Sequence, residues 1–210
     1  MGQDRSRSTL AAPLPAKQAR SRRTRDALIA AGWELLGRQR WDDITIGNIV
    51  EAAGSSVGSF YSRFADRDAF FETMAAEWIE RRARTRAERF ALIGPDSDFA
   101  ATAILDTYRM TMQHQHFWRA ALVKGASQTE FWTPFRALGL AAINRVIELR
   151  GQALGRALTE EEVRRIRFAF QMANGLINNS IVNRPGPIMP GTPEFETELV
   201  RGLKAVAGFL

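Results

Sequence analysis

Residues 45–64, Thr-Ile-Gly-Asn-Ile-Val-Glu-Ala-Ala-Gly-Ser-Ser-Val-Gly-Ser-Phe-Tyr-Ser-Arg-Phe, decide the fold of this chain. Thr45 is placed to cap a helix, its hydroxyl accepting from an orphan backbone N–H of the first turn. Ile46, Ile49, Val50 and Ala53 then recur at helical spacing and give that helix one buried face. Gly54 supplies a residue that takes positive φ easily where the helix has to end. Ser56 caps the next helix, in which Phe60 and Phe64, four apart, share the inward face. Val57, Ser59 and Tyr61 are left on the outer side. Two short helices joined by a tight turn, the second presenting small polar side chains, are helix-turn-helix geometry: the N-terminal part of the second helix meets base edges.

The bulk of the chain fits that reading. At 210 residues and 45% hydrophobic it buries a substantial core. Without cysteine, disulfides, thiolate metal sites and cysteine nucleophiles are excluded. No apolar run approaches the ~20 residues that span a bilayer. No apolar segment follows the charged N-terminus, so a secretory signal is not expected and a cytoplasmic location is. The net charge of +6 is unevenly spread. Residues 1–25 hold seven basic side chains, among them Arg20, Arg22, Arg23 and Arg25, against Asp4 alone, and the remaining 185 residues balance at 22 basic and 22 acidic. A basic arm just ahead of the motif is able to track phosphates and add a salt-dependent term to affinity. Pro13 and Pro15, with the small residues around them, favour disorder over residues 1–20.

Everything ordered reads as helical, with no strand alternation and no internal repeat. A first helix is expected over about 21–38, with Leu28, Ile29, Gly32, Leu35 and Leu36 in one stripe and Trp41 and Ile44 filling the space beyond it. Asp66 caps a long helix over about 67–92. Gly94-Pro95-Asp96-Ser97 breaks the chain, and further helices follow near 98–114, 117–124, 133–154, 160–182 and 192–210. Thr159-Glu160-Glu161-Glu162 forms a capping box. The organisation expected is an arm over 1–20, a DNA-binding domain over 21–66 and a second helical domain over 67–210. In the long helix, Arg81, Arg82, Arg84, Arg86 and Arg89 interleave with Glu77, Glu80 and Glu88. The i,i+4 order of Glu77–Arg81 and Glu80–Arg84 predicts a solvated charged face. His114 and His116, two apart, diverge by ~200° on a helix; with no third ligand nearby, no metal site is expected.

Two helices carry a message about assembly. The one over 160–182 has Ile166, Phe170, Ala173 and Ile177 on one side and Phe168, Met172 and Leu176 roughly opposite, so it is to be covered from two directions. The last helix adds Leu199, Leu203, Val206 and Leu210. Together they predict a homodimer through about 160–182 and 193–210.

From Trp41 to Phe71 the order and spacing of Trp41, Thr45-Ile46, Ile49, Ala52-Ala53-Gly54, Ser56, Gly58-Ser59-Phe60-Tyr61, Phe64 and Arg67-Asp68 resembles the DNA-binding domain of TetR-family transcriptional regulators. Ser55, Val50 and Gly47 depart from the family's usual residues. The resemblance implies an all-α chain: an N-terminal three-helix DNA-binding domain with a helix-turn-helix, then a C-terminal helical ligand-binding and dimerisation domain. It implies a phosphate contact for Thr45 and contacts to base edges or backbone for Ser56, Val57 and Ser59. It implies close approach to the groove at Gly58, where a mid-helix glycine costs ~1 kcal/mol relative to alanine. Tyr61 matches a tyrosine whose hydroxyl grips a phosphate, and Arg67 a basic position that meets the DNA backbone.

The function so implied is a ligand-responsive repressor that binds a near-palindromic double-stranded operator as a homodimer and is released by a small, largely apolar or aromatic effector. Trp78, Tyr108, Met112, Trp118, Phe168 and Met172 offer apolar pocket wall and Asn174 a polar group, with Gln171 and Asn178 as further candidates. The alternative is a nucleoid or partner-controlled protein on the same fold without an inducer. No cofactor is expected. An enzyme is not expected either, since no phosphate loop or nucleophile elbow occurs.

Overall fold

The computed structural model describes residues 16–95 and 98–209. The arm over residues 1–15, residues 96–97 of the 94–97 break and Leu210 lie outside the described residues. Helix α1 (Ala16–Leu36) starts five residues ahead of the expected Ser21. Ala16-Lys17-Gln18-Ala19-Arg20 are all strong helix formers, so this end of the supposed arm is the first turn of α1. Helices α2 (Ile46–Ala52) and α3 (Val57–Tyr61) follow a 3₁₀ turn at Trp41–Asp43. Leu28, Ile29 and Leu36 of α1 are buried against them, with Ile44, Ile49 and Phe60 fully enclosed. Gly32 lies on the same stripe; a Cβ there would stand 2.7 Å from Met74 Sδ and 2.9 Å from the Phe70 ring, so glycine sets the separation of α1 from the next helix.

That helix, α4 (Arg67–Ala91), is 25 residues long and so spans ~37 Å. Asp66 caps it, accepting from the Ala69 N–H at 2.7 Å. The second half comprises α5 (Phe99–Gln113), α6 (Gln115–Ser127), α7 (Thr133–Leu154), α8 (Glu160–Val182) and α9 (Pro193–Ala207). Thr159 and Glu162 form the expected capping box at α8, and the Arg156 guanidinium with the Thr159 N–H holds the Glu162 carboxyl down at about 2. Gly155, at φ 64°, ends α7.

Two hydrophobic clusters organise the molecule. One runs from α1–α3 through Phe70, Phe71, Met74 and Trp78 of α4 to Phe117 and Trp118 of α6 and Phe135 of α7. The other joins α5, α7, α8 and α9. The α9 stripe closes this second core: Leu199 is 3% exposed and Leu203 0%, because α9 lays that stripe against α8 and α5. The apolar face left to solvent is on α8, where Phe168, Met172 and Leu176 are 58%, 40% and 44% exposed.

The charged face expected on α4 is also different in the structure. Glu80 does reach Arg84 at 4.0 Å, but Glu77 pairs with Arg25 of α1 instead of Arg81. Arg82 and Arg86 turn inward onto Asp106 of α5. Positions 82, 86 and 89 form one helical stripe, and that stripe faces α5.

Candidate nucleic-acid interface and internal cavity

Local hydrogen bonds fix the helix pair. The Thr45 hydroxyl accepts from the Asn48 N–H at 3.1 Å, and Asn48 Oδ1 accepts from the Thr45 N–H at 2.9 Å, a capping box whose second member is an asparagine in place of the usual Glu or Gln. The turn passes through Gly54 at φ 56°. Ser56 Oγ then accepts from the Ser59 N–H at 3.2 Å. With Phe60 buried and Phe64 nearly so, Val57 and Tyr61 are thrown outward, 49% and 55% exposed. Ser56 and Gly58 share that exposed side and Ser59 is half-buried beside it. A Cβ on Gly58 would meet nothing of the protein closer than Ser56 Oγ at 4.0 Å, so internal packing does not demand glycine there.

Two arginines hold the pair in place. Arg63 Nη1 donates to the Ser59 carbonyl at 2.7 Å, and its Nε to the Ser21 carbonyl of α1 at 3.3 Å, so α3 is tied to α1 across the groove that Arg22 and Arg25 flank. Arg67 Nη1 donates to the Ile44 carbonyl at 2.8 Å, and its guanidinium lies 5.1 Å from the centre of the Trp41 ring. Arg67 is thus engaged with the protein's own backbone and does not stand free beside Tyr61. Arg20, Arg22 and Arg23 on the first turns of α1 are exposed.

In the second half a cavity of about 490 Å³ lies among α5, α6, α7 and α8. Of the residues expected to line a pocket, Trp118 and Asn174 do, with Trp132, Gln171 and Asn178. Trp78 is instead packed among the rings of Phe117, Trp118 and Phe135. Tyr108 stacks on Phe195 and accepts from the Gly191 N–H at 2.6 Å, and Met112 packs against the second core. Phe168 and Met172 do not line the cavity; they lie to one side of the α8 face that carries Gln171, Asn174 and Asn178. Thr111, Gln171, Asn174 and Asn178 have no side-chain hydrogen-bond partner among the described residues. A second, more apolar space of about 690 Å³ lies between α4 and α7, and Arg86, Leu138 and Ala142 border both.

Arg86 belongs to a charge cluster that i,i+4 spacing alone predicts in solvent. Asp106 is hydrogen-bonded by Arg82, by Arg89 at 2.6 Å and by Arg86 Nε at 3.3 Å, with Arg86 Nη2 in ion-pair reach at 3.2 Å and donating to the Thr107 hydroxyl at 3.0 Å. Burial alone would raise the Asp106 carboxyl, but the hydrogen bond and charge of Arg82, with Arg86 and Arg89, carry it below the ordinary range. Burial and the charge of Arg82 pull the Arg86 guanidinium below its usual value, against the opposing effect of Asp106. The recoverable signal was the i, i+4, i+7 spacing of the three arginines.

A capped, outward-facing recognition helix in a three-helix head, carried by one long helix into an all-helical body, defines a helix-turn-helix DNA-binding protein with a companion domain. The model of the bacterial regulatory proteins of the tetR family matches residues 28–74, so the head of this chain is a tetR-family DNA-binding domain. A TetR transcriptional regulator from Rhodococcus sp. RHA1 superimposes with a TM-score of 0.56 at 18% identity, over 93% of this chain and 99% of that one. A tetR-family regulator from Streptomyces coelicolor gives 0.60 at 19% identity, over 92% and 82%. RolR, in complex with the ligand resorcinol, gives 0.56 at 20% identity, over 92% and 90%. At these identities what is shared is the fold. No curated protein matches the chain significantly.

Proposed function

We propose that the chain is a repressor that binds a near-palindromic operator as a homodimer and leaves it when a small aromatic effector fills the cavity among α5–α8. The observation that carries this reading is the pairing of an exposed Val57–Gly58–Tyr61 face with a cavity in whose wall Thr111, Gln171, Asn174 and Asn178 have no side-chain hydrogen-bond partner among the described residues. Cavities of some 300–1,000 Å³ with apolar walls and a few polar groups suit small ligands, and resorcinol in RolR is a ligand of that kind on a similar fold.

In this reading Val57 and Ser59 meet base edges, Ser56 and Tyr61 meet phosphates, and Gly58 lets the backbone approach. Thr45 contacts a phosphate while keeping its capping bond, and the arginines of α1 add salt-dependent affinity. The exposed stripe of Phe168, Met172 and Leu176 on α8, beside the outer edge of α9, forms the two-fold interface. That interface spaces the two recognition helices about 34–36 Å apart, one DNA turn. The effector favours a conformation with different spacing, transmitted by α4, and lowers DNA affinity by no more than its differential affinity for the two states. The role is regulatory and not catalytic, exercised in the cytoplasm.

Selection of bound sequences from random DNA is expected to return a two-fold symmetric site. Loss of the hydroxyl contact in Tyr61→Ala is expected to weaken that site about tenfold in a gel shift. Undiminished binding would remove Tyr61 from the interface, and a selection without symmetry would remove the dimeric operator.

A further inference from the structure

Arg86 brings a buried positive charge to the cavity wall, in a cluster where three guanidinium groups share the single carboxylate of Asp106. Its side chain is 5% exposed, and a buried charge needs a close partner. Asp106 serves three arginines at once and is held most tightly by Arg82 and Arg89. The contacts of Arg86 to Asp106, at 3.2 and 3.3 Å, are long for charge-assisted pairs, which run ~2.7–2.9 Å, and its shortest bond, 3.0 Å from Nη2, goes to the neutral Thr107 hydroxyl. Its Nη1 finds only the Leu138 carbonyl, at 3.4 Å. Arg86 and Arg136 line the cavity, and no Asp or Glu does. The rest of the wall includes the flat faces of Trp118, Trp132 and Phe135, the last two stacked at 4.6 Å.

We propose that the effector is an aromatic carboxylate, its ring against this wall and its acid group on Arg86. The proposal rests on the cavity being the effector site. A neutral arene would gain the aromatic contacts but leave the guanidinium as it is. A carboxylate adds a second anion to a cluster in which three guanidinium groups share Asp106, and the unpaired Thr111, Asn174 and Asn178 complete its hydrogen bonds or those of ring hydroxyls. Because Arg86 is part of α4, the acid draws directly on the helix that carries the DNA-binding head, in competition with Asp106 on α5.

The test is calorimetric titration of the full chain with matched pairs: benzoate and benzamide, 4-hydroxybenzoate and 4-hydroxybenzamide, 1-naphthoate and 1-naphthamide. The acid of a pair is expected to bind roughly ten- to hundredfold more tightly than its amide and to release the selected operator. Gly175→Trp, at an exposed cavity-lining position where a side chain has open space, is expected to block both members. Arg86→Met is expected to abolish the preference, but the preference itself is read on the unaltered chain and does not require that variant to fold. Equal binding of acid and amide, both blocked by Gly175→Trp, overturns the carboxylate and keeps the cavity. Acid binding that survives Gly175→Trp at full strength, or no binding by any pair, overturns the carboxylate and the cavity together.

Discussion

Gly32 shows how one missing methyl fixes a relationship between helices. Alanine there would gain ~1 kcal/mol of helix propensity. Its Cβ, however, would press on Met74 and Phe70, both fully buried, and overpacking of this kind costs ~1–3 kcal/mol. The steric term is the larger, so Gly32→Ala is expected to lower the melting temperature by a few degrees in calorimetry, at ~2–4 °C per kcal/mol for a chain of this size. Asp106 is the opposite case, a group whose removal strands others. Asp106→Asn leaves Arg82 and Arg86 turned inward without an anion, and is expected to destabilise by about 3–5 kcal/mol in chemical denaturation. Since the folded carboxyl titrates below its unfolded value, its contribution is present above pH ~4 and is lost as pH falls through the folded pKa.

At the scale of elements, α3 is five residues long, too short to persist by itself. The Ser56 cap, the Phe60 and Phe64 anchors and the Arg63 tie to Ser21 hold it. Ser56→Ala is expected to cost ~1 kcal/mol and to weaken operator binding in the same gel shift. On α8, Phe168→Glu with Met172→Glu is expected to give monomers in light scattering with helicity unchanged, because neither side chain is in the protomer's own core. The helix pair and the two-sided pattern of α8 were legible in the sequence because caps, turns and stripes are local. The destination of the α9 stripe was not: amphipathicity records that a face is buried, not what buries it. The inward arginines of α4 were hidden for a related reason. Their partner, Asp106, lies on another helix, and charge alone argues for solvent.

Across the whole molecule, the head and body share one hydrophobic cluster, and His114 sits at their junction between the rings of Trp33 and Trp78, with centroids at 5.9 and 6.2 Å. Burial, with the nearby charge of Arg82, holds this imidazole below its ordinary value. The unfolded chain therefore takes up the proton first as pH drops, and stability is expected to fall below pH ~6.5. His114→Gln is expected to flatten that part of a melting-temperature profile measured between pH 7.5 and 5; an unchanged profile would place the dependence elsewhere. The fold as a whole followed from local signals, helix by helix. The cavity did not, since four helices enclose it and Arg86, Thr111 and Phe135 enter it from positions whose spacing marks them only as interior.

The partition between the two internal spaces consists of Arg86, Leu138 and Ala142. A barrier of three side chains makes the size of an acceptable guest adjustable independently of the surface that reads DNA. Leu138→Ala joins the 490 and 690 Å³ spaces, and so turns the chain into a starting point for biosensors of bulkier compounds, at a stability cost of ~2–5 kcal/mol.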